Sequence, residues 1–367
     1  MEQCDFLVIG GGIAGLSCAA RLAAHGRVVV VEGESAPGYH ASGRSVAVAH
    51  FGLGERVVRT LTALSLPALA EHGTRHPALH IASSAQWAAL DALEDTHRQF
   101  GCDYARLSGA EARALLPVLK PDACGAALID HGALKLDTNA MLQAHVATLR
   151  AAGSRVVSGA RVSAIARENA GWQVAASGKR YAAPLLINAA GAWADEIARL
   201  AGVTPIGIEP RRRTVIVFAA PDGEDVRAWP FTKTVGEGFY LLPEGAGQLL
   251  ASSMDQTPSA PCDAAPEELD IAITADRVEQ ATTLPIRRIA HSWAGLRSIA
   301  PHELPAIGHA SSAPGFVWVA GQGGAGFQTA PALSRIAESA VLGLPFPADC
   351  AAAGLAPAQF APARFGA

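Results

Sequence analysis

The segment Gly10-Gly-Gly-Ile-Ala-Gly15 constrains this chain more than any other. Residues 5–9, apolar from Phe6 on, precede it and read as a short buried strand. The Ala- and Leu-rich stretch after it reads as a helix to Ala24, closed by Gly26. Arg27-Val-Val-Val-Val-Glu32 then reads as a second buried strand. Strand, glycine turn, helix and strand in this order form a βαβ unit, the building block of a parallel sheet. Gly10 makes the tight turn, Gly12 lets a diphosphate approach backbone N–H groups, and Gly15 lets helix and strand pack closely. The diphosphate sits on the helix N-terminus, where unpaired N–H groups and the helix dipole favour negative charge. Glu32 can accept hydrogen bonds from a ribose diol. A plain βαβ unit needs none of this spacing. The segment is therefore read as a dinucleotide site built from Gly10, Gly12, Ala14, Gly15, Glu32 and Gly33.

At 367 residues the chain has room for two domains, or for one large domain with insertions. Half of it is apolar and 17% is charged, which favours a sizeable core over disorder. A formal net charge of −4 and a pI near 6.3 argue against nucleic acid or a polybasic membrane contact. No stretch approaches the roughly 20 apolar residues that a membrane-spanning helix needs, so none is expected. The first apolar run is too short for a signal peptide and follows Glu2 and Asp5. The six cysteines lie far apart without a CxxC pair. Neither a metal site nor a disulfide framework follows, and reduced thiols in a cytoplasm are expected.

The rest of the chain alternates between two styles. Residues 140–152 read as a helix ended by Gly153, with strands at 155–158 and 162–165. A hairpin turns at Ser177-Gly178, and a buried strand follows at 185–188. From Pro210 to about Ile289 the pattern changes to short strands broken by Pro and Gly (214–218, 238–242 and 248–251), as in an antiparallel sheet. The tail returns to the first style, with a strand at 316–320, a glycine-rich turn and a helix from about 330 to 342. The fold class is α/β, with two interleaved domains. A Rossmann-like dinucleotide domain takes 1–82, 146–208 and 290–367, and an antiparallel-sheet substrate domain takes 83–145 and 209–289.

The second glycine-rich element, Gly321-Gln-Gly-Gly-Ala-Gly-Phe-Gln-Thr329, opens the last helix. N–H groups at that helix start can face the pyrimidine end of an isoalloxazine and stabilise charge on a reduced flavin. A nicotinamide enzyme has no need of such a remote second cradle, so FAD is the expected cofactor. Together with Gly38-Tyr-His-Ala-Ser-Gly-Arg-Ser45, Asn188-Ala-Ala-Gly-Ala-Trp193 and Trp293-Ala-Gly-Leu-Arg297, these motifs follow the order of the glycine-oxidase/D-amino-acid-oxidase flavoprotein family. The chain resembles that family along nearly all its length, and most of all its bacterial D-arginine dehydrogenase branch.

The resemblance implies FAD, and oxidation of an amine carbon to an imine. It puts Ala41, Ser42, Gly43, Arg44, Ser45 and Val48 around the flavin and Val162 on the adenine side. Gly191 joins the cofactor site, and Gly323, Gly324, Ala325, Gly326, Phe327 and Gln328 lie under the isoalloxazine. His40 is weighed separately, because some relatives tether flavin through a histidine in a similar setting; an untethered cofactor is expected. Amine oxidation requires the substrate carboxylate to be gripped, which a guanidinium does best with two parallel bonds. Arg213 and Arg297 match the family's substrate arginines, and Tyr240 matches a tyrosine that reaches the same carboxylate. Arg211 and Arg212 are read as surface charges. Gly324 lines the substrate side.

Where the branch carries a glutamate for a cationic substrate, Ser84 aligns here. Leu53 replaces a lid tyrosine, Val48 a histidine and His50 a threonine. His50 can orient substrate or accept a proton, although a lone histidine is more often structural. Glu237, near Tyr240 in sequence, is an acid that can reach the pocket by another route. The expected activity is FAD-dependent oxidation of a neutral or apolar D-amino acid, giving an imino acid that hydrolyses to a 2-oxo acid and ammonia. Glycine, sarcosine, cyclic imino acids and 2-hydroxy acids remain alternatives on the same scaffold, and outside catalysis so does a flavin-binding structural protein. The electron acceptor stays open between a quinone, a dye-like carrier and oxygen. The expected location is the cytoplasm, peripheral to the inner membrane if electrons pass to a quinone.

Overall fold

The computed structural model describes residues 1–168 and 171–366. The βαβ unit seeds a six-stranded sheet in the order Arg155–Val157, Val28–Val31, Phe6–Ile9, Leu185–Asn188, Phe316–Ala320 and Ala306–His309. Every neighbouring pair is parallel except the last. Both faces of this sheet are covered, which is why its strands read as unbroken apolar runs. Phe6, Val8, Val28, Val30, Val317 and Val319 point into one core, shared with the helices Ile13–Leu22, Thr138–Ala151 and Gly326–Leu342. Leu7, Ile9, Val29, Val31 and Trp318 point to the other side, against Trp172, Val174 and Tyr181 of an antiparallel hairpin. That hairpin turns at Ser177 (φ 45°) and Gly178 (φ 77°), the left-handed pair that a two-residue connection requires.

A second, ten-stranded sheet carries the other half of the molecule. Its main path runs Gln322–Gly323, Ile289–Ile299, Glu209–Ala219, Gln248–Ser252, Tyr240–Pro243, Phe231–Thr234, Ala78–Ala82, Ala126–Asp130 and Tyr104–Ser108. Thr257–Pro258 pairs at the side with Glu209–Ala219. The sheet is antiparallel except where Phe231–Thr234 runs parallel to Ala78–Ala82. Strand alternation gives it two faces. Ile81, Ile216, Phe218, Leu241 and Leu249 pack with Val278 of the helix Glu268–Ala281. Val215, Val217, Phe231, Tyr240 and Leu242 lie on the opposite face.

Strand pairing shifts the segment limits that the sequence pattern suggested. Ala78–Ala82 falls in the first dinucleotide segment by position, yet it pairs within the ten-stranded sheet. The helix Thr138–Ala151 starts before residue 146 and packs in the dinucleotide core through Met141, Leu142 and Leu149. Ile289–Ile299 belongs to the ten-stranded sheet, although the sequence pattern places nearly all of it in the segment 290–367. These pairings are long-range, and local periodicity carries no record of them. The last helix begins at Gly326, not near 330, and continues through Pro331; the Ser65 hydroxyl accepts the next free N–H, that of Ala332. Among the described residues no helix is long and apolar enough to cross a membrane.

Candidate active site

A cavity of about 810 Å³ is lined by both sheets and their turns. At its dinucleotide end Gly10 takes φ +108°, and a Cβ there would lie 2.4 Å from the Ala189 carbonyl oxygen. The Glu32 carboxylate accepts from the N–H groups of Gly11 (2.6 Å) and Glu34 (2.9 Å), so the acid is fixed beside the turn. Ser42 caps the first helix instead of pointing freely at ligand: its hydroxyl accepts from Ile13 N at 3.0 Å. The N–H groups of Gly12 and Ala14 meet no partner among the described residues. A cradle that side chains would fill, with free N–H groups at a helix start, fits a diphosphate.

Gly33, Ala41, Arg44, Ser45, Val48, Val162 and Gly191 also line this cavity. Arg44 donates to the carbonyls of Ala264 and Ala294 and pairs with Asp263, so it braces the wall. Gly15, Gly43 and Ala325 do not line the cavity. A Cβ on Gly15 would sit 2.0 Å from the Gly10 carbonyl oxygen, and Gly43 donates to the carbonyl of Gly38. Ala325 is buried, and its carbonyl accepts from Thr329. All three serve packing.

Gly323, Gly324, Gly326, Phe327 and Gln328 line the middle of the cavity. Gly324 is required by contact: a Cβ there would fall 1.5 Å from Nη2 of Arg297. The Arg297 guanidinium thus lies flat on the second glycine turn, and it has no hydrogen-bond or ion-pair partner among the described residues. Burial, and then Arg213, pull its pKa down to about 9. Arg213 is already engaged. Its Nε donates to the carbonyl of Asp255 at 2.8 Å, its Nη2 to that of Met254 at 3.1 Å, and the Asp255 carboxylate stands 3.7 Å away.

Register explains how these groups share one face. Lys233 pairs with Tyr240 on one side and His80 on the other, and Tyr240 pairs with Ser252. Cross-strand partners project to the same side of a sheet. Arg213 and Lys233 therefore join Tyr240 over the cavity, while Arg212, one residue along, points away. Burial, then Arg213 and Arg297, lower the Lys233 ammonium to about 8. Burial raises the Tyr240 phenol, and the nearby Arg213 partly offsets it.

His50 lines the cavity and is buried, and its pKa is pushed down to about 3, first by burial and then by Lys233. Its Nδ1 accepts from Gly52 N at 3.0 Å, which leaves Nε2 to carry the proton of a neutral ring. Its ring centroid is 5.3 Å from that of His80 and 5.0 Å from that of Phe231.

Several positions fall elsewhere than the sequence suggested. Leu53 and Glu237 line the cavity. Ser84 does not: it is exposed on the short 3-10 turn Ser84–Gln86. The aligned stretch lacked a motif to pin it, and the backbone turns it outward. Arg212 is no surface charge. It is buried and pairs with Asp270 at 2.9 Å and with Glu267. His40 keeps company with Glu34 (3.0 Å) and with the Trp193 ring. Sequence reasoning missed Lys233 and Asp255. The one available signal was a lysine two residues after Phe231, at the parity that strand alternation turns inward.

A family model described as DAO: FAD dependent oxidoreductase matches residues 5–339. The chain is 28% identical over 222 residues to L-2-hydroxyglutarate dehydrogenase of Salmonella houtenae, covering 55% of this chain and 50% of that protein. It spans about a third to a half of the length of the curated relatives first matched. Its fold resembles the L-proline dehydrogenase of P. horikoshii (TM-score 0.85, 21% identity, 100% of this chain and 98% of that one). It also resembles the glycine oxidase of Geobacillus kaustophilus (TM-score 0.82, 20% identity, 96% and 98%). The chain belongs to the DAO family of FAD-dependent oxidoreductases.

Proposed function

We propose that this DAO-family member oxidises the carbon–nitrogen bond of an amino acid, in the D configuration, to an imino acid that water converts to a 2-oxo acid and ammonia. The observation that carries the reading is the Arg297 guanidinium, half-buried, unpaired and laid on Gly324 at the second glycine turn. A carboxylate paired there gains a charge-assisted bond of ~1.5–3 kcal/mol, and the α-carbon is brought beside the turn. FAD, when bound, accepts the hydride that leaves that carbon. Arg213 and the Tyr240 hydroxyl would complete the grip. An amine bound in its neutral form brings its own lone pair, so a neutral His50 positions the substrate and need not take a proton. The glycine oxidase likeness supports an amine substrate, and the D configuration follows only the resemblance to the D-arginine dehydrogenase branch.

A cationic side chain is disfavoured at this site, because Arg213, Lys233 and Arg297 already crowd it with positive charge. The cofactor is untethered: His40 is engaged with Glu34 at a part of the cavity lined by Glu32 and Trp193. The test is anaerobic bleaching of the flavin by D- and L-pairs of amino acids, and by the matching 2-hydroxy acids. Bleaching by D-amino acids is expected. Bleaching by 2-hydroxy acids alone overturns the reading. Yellow colour retained in an acid-precipitated pellet overturns the untethered cofactor.

A further inference from the structure

We propose that the substrate carries two carboxylates, one for the Arg297 end of the site and one for Lys233. This rests on the oxidation reading above and narrows it to acidic amino acids and related amine dicarboxylates. Lys233 is 8% exposed, and it stands in register with Tyr240 on the cavity face. One of its three N–H bonds goes to the Thr234 carbonyl at 2.9 Å, and no carboxylate lies within ion-pair distance among the described residues. Its charged neighbours are Arg213, Arg297 and Arg59, all cations.

Charge counting sharpens the point. Arg213, Lys233 and Arg297 supply three positive charges and Asp255 one negative, which leaves two uncompensated. Asp255 accepts from Thr214 N at 2.9 and 3.0 Å and stays beside Arg213, so it cannot serve Lys233. Glu237 lines the cavity from an exposed position and pairs with none of the three. Arg277 also lines the wall, donating to the carbonyls of Gly238 and Ser253, and adds to the positive side. One carboxylate on Arg297 leaves the buried Lys233 ammonium unneutralised, and a second carboxylate neutralises it.

Distance separates the two grips. The strands Glu209–Ala219, Gln248–Ser252 and Tyr240–Pro243 lie between those of Arg297 and Lys233, four strand steps of about 4.8 Å each. Long side chains converge across that gap from opposite ends. Such an arrangement suits the two termini of a short diacid better than the two oxygens of one carboxylate.

The experiment uses the FAD-loaded protein and compares kcat/KM for D-Glu against D-Gln and for D-Asp against D-Asn, with an artificial electron acceptor. Acid and amide match in size, so the ratio reads charge alone. A preference of about tenfold or more for the acids is expected. It should fall toward one in Lys233→Met and persist in Lys233→Arg. Amides equal to or better than acids overturn the proposal, as does an unchanged ratio in Lys233→Met. If no amine reduces the flavin, the oxidation reading fails alone. Glutarate and butyrate binding, followed by perturbation of the flavin spectrum, then decides the diacid site. Tighter glutarate binding that is lost in Lys233→Met supports it, and equal binding overturns it.

Discussion

The two ends of the cavity are built on opposite principles. At the dinucleotide end the chain satisfies its own side chains: Glu32 is held by two backbone N–H groups and Ser42 caps a helix. What it offers a ligand is backbone, and backbone exposure demands glycine. At the substrate end the offering is charge, delivered from separate strands and left partly unpaired. The first arrangement binds one cofactor by shape, and the second selects among substrates by electrostatics. Changes at the first end should cost the holoprotein as a whole, whereas changes at the second should alter selection with the fold intact.

The broadest effect expected, on cofactor and fold together, is at Gly15. A side chain there meets the Gly10 carbonyl, so Gly15→Val should strip flavin from the purified protein and cost ~1–3 kcal/mol or more of stability. The ratio of flavin to protein absorbance and a melting curve check this. Full flavin content in that variant would break the distinction between the two ends.

Two arginines on neighbouring strands but opposite faces give the sharpest contrast. Arg212→Ala leaves Asp270 buried without its partner and should lower stability by ~3–5 kcal/mol. Arg297→Ala should spare flavin content and melting temperature while lowering kcat/KM by ~1.5–3 kcal/mol, about ten- to a hundredfold. Equal melting losses in both variants would mean that the two faces of the sheet are not functionally distinct.

Acid should expose the cost of the buried histidines. His50 falls from 6.5 to about 3 in the fold, and His145 to about 4. Between those values the unfolded chain binds more protons than the folded one, so stability drops as pH falls below about 6.5. Each such histidine contributes up to about 1.4 kcal/mol per pH unit in its window. Urea midpoints from pH 7 to pH 4 should decline, and less steeply in His50→Leu. An identical slope would mean that His50 is not held neutral.

The smallest effect is at Ser84. Because it is exposed and outside the cavity, Ser84→Glu should leave D-Arg turnover and stability unchanged within about 0.5 kcal/mol. A rise in D-Arg turnover would return this loop to the substrate site.

The same contrast decides what the sequence disclosed. The dinucleotide end was legible because Gly10, Gly12, Gly15 and Glu32 lie within one local unit whose spacing is its geometry. Arg297, Gly323, Gly324 and Gly326–Gln328 were legible by their motifs. Lys233 was not: its place depends on pairing with Tyr240 and His80, residues far away in the chain or on another strand. Ser84 went wrong for the complementary reason, since a position without a motif was assigned a contact that only tertiary structure can grant. The edges of the two sheets were misplaced on the same grounds, because Ala78–Ala82 looks like any other apolar strand until its partners are known.

Arg297 rises from the strand Ile289–Ile299 and comes to rest on the turn that links its sheet neighbour Gln322–Gly323 to the helix Gly326–Leu342 of the dinucleotide half. The site's anchor is thus a gauge of how the two halves are seated. A slip of an ångström between them misaims the substrate. Warming or mild denaturant should therefore silence turnover while the protein is still yellow. In a lineage that diversifies, the residues along the sheet face are free to drift toward new substrates, whereas the reach from arginine to glycine is the fixed span against which each new pocket is cut.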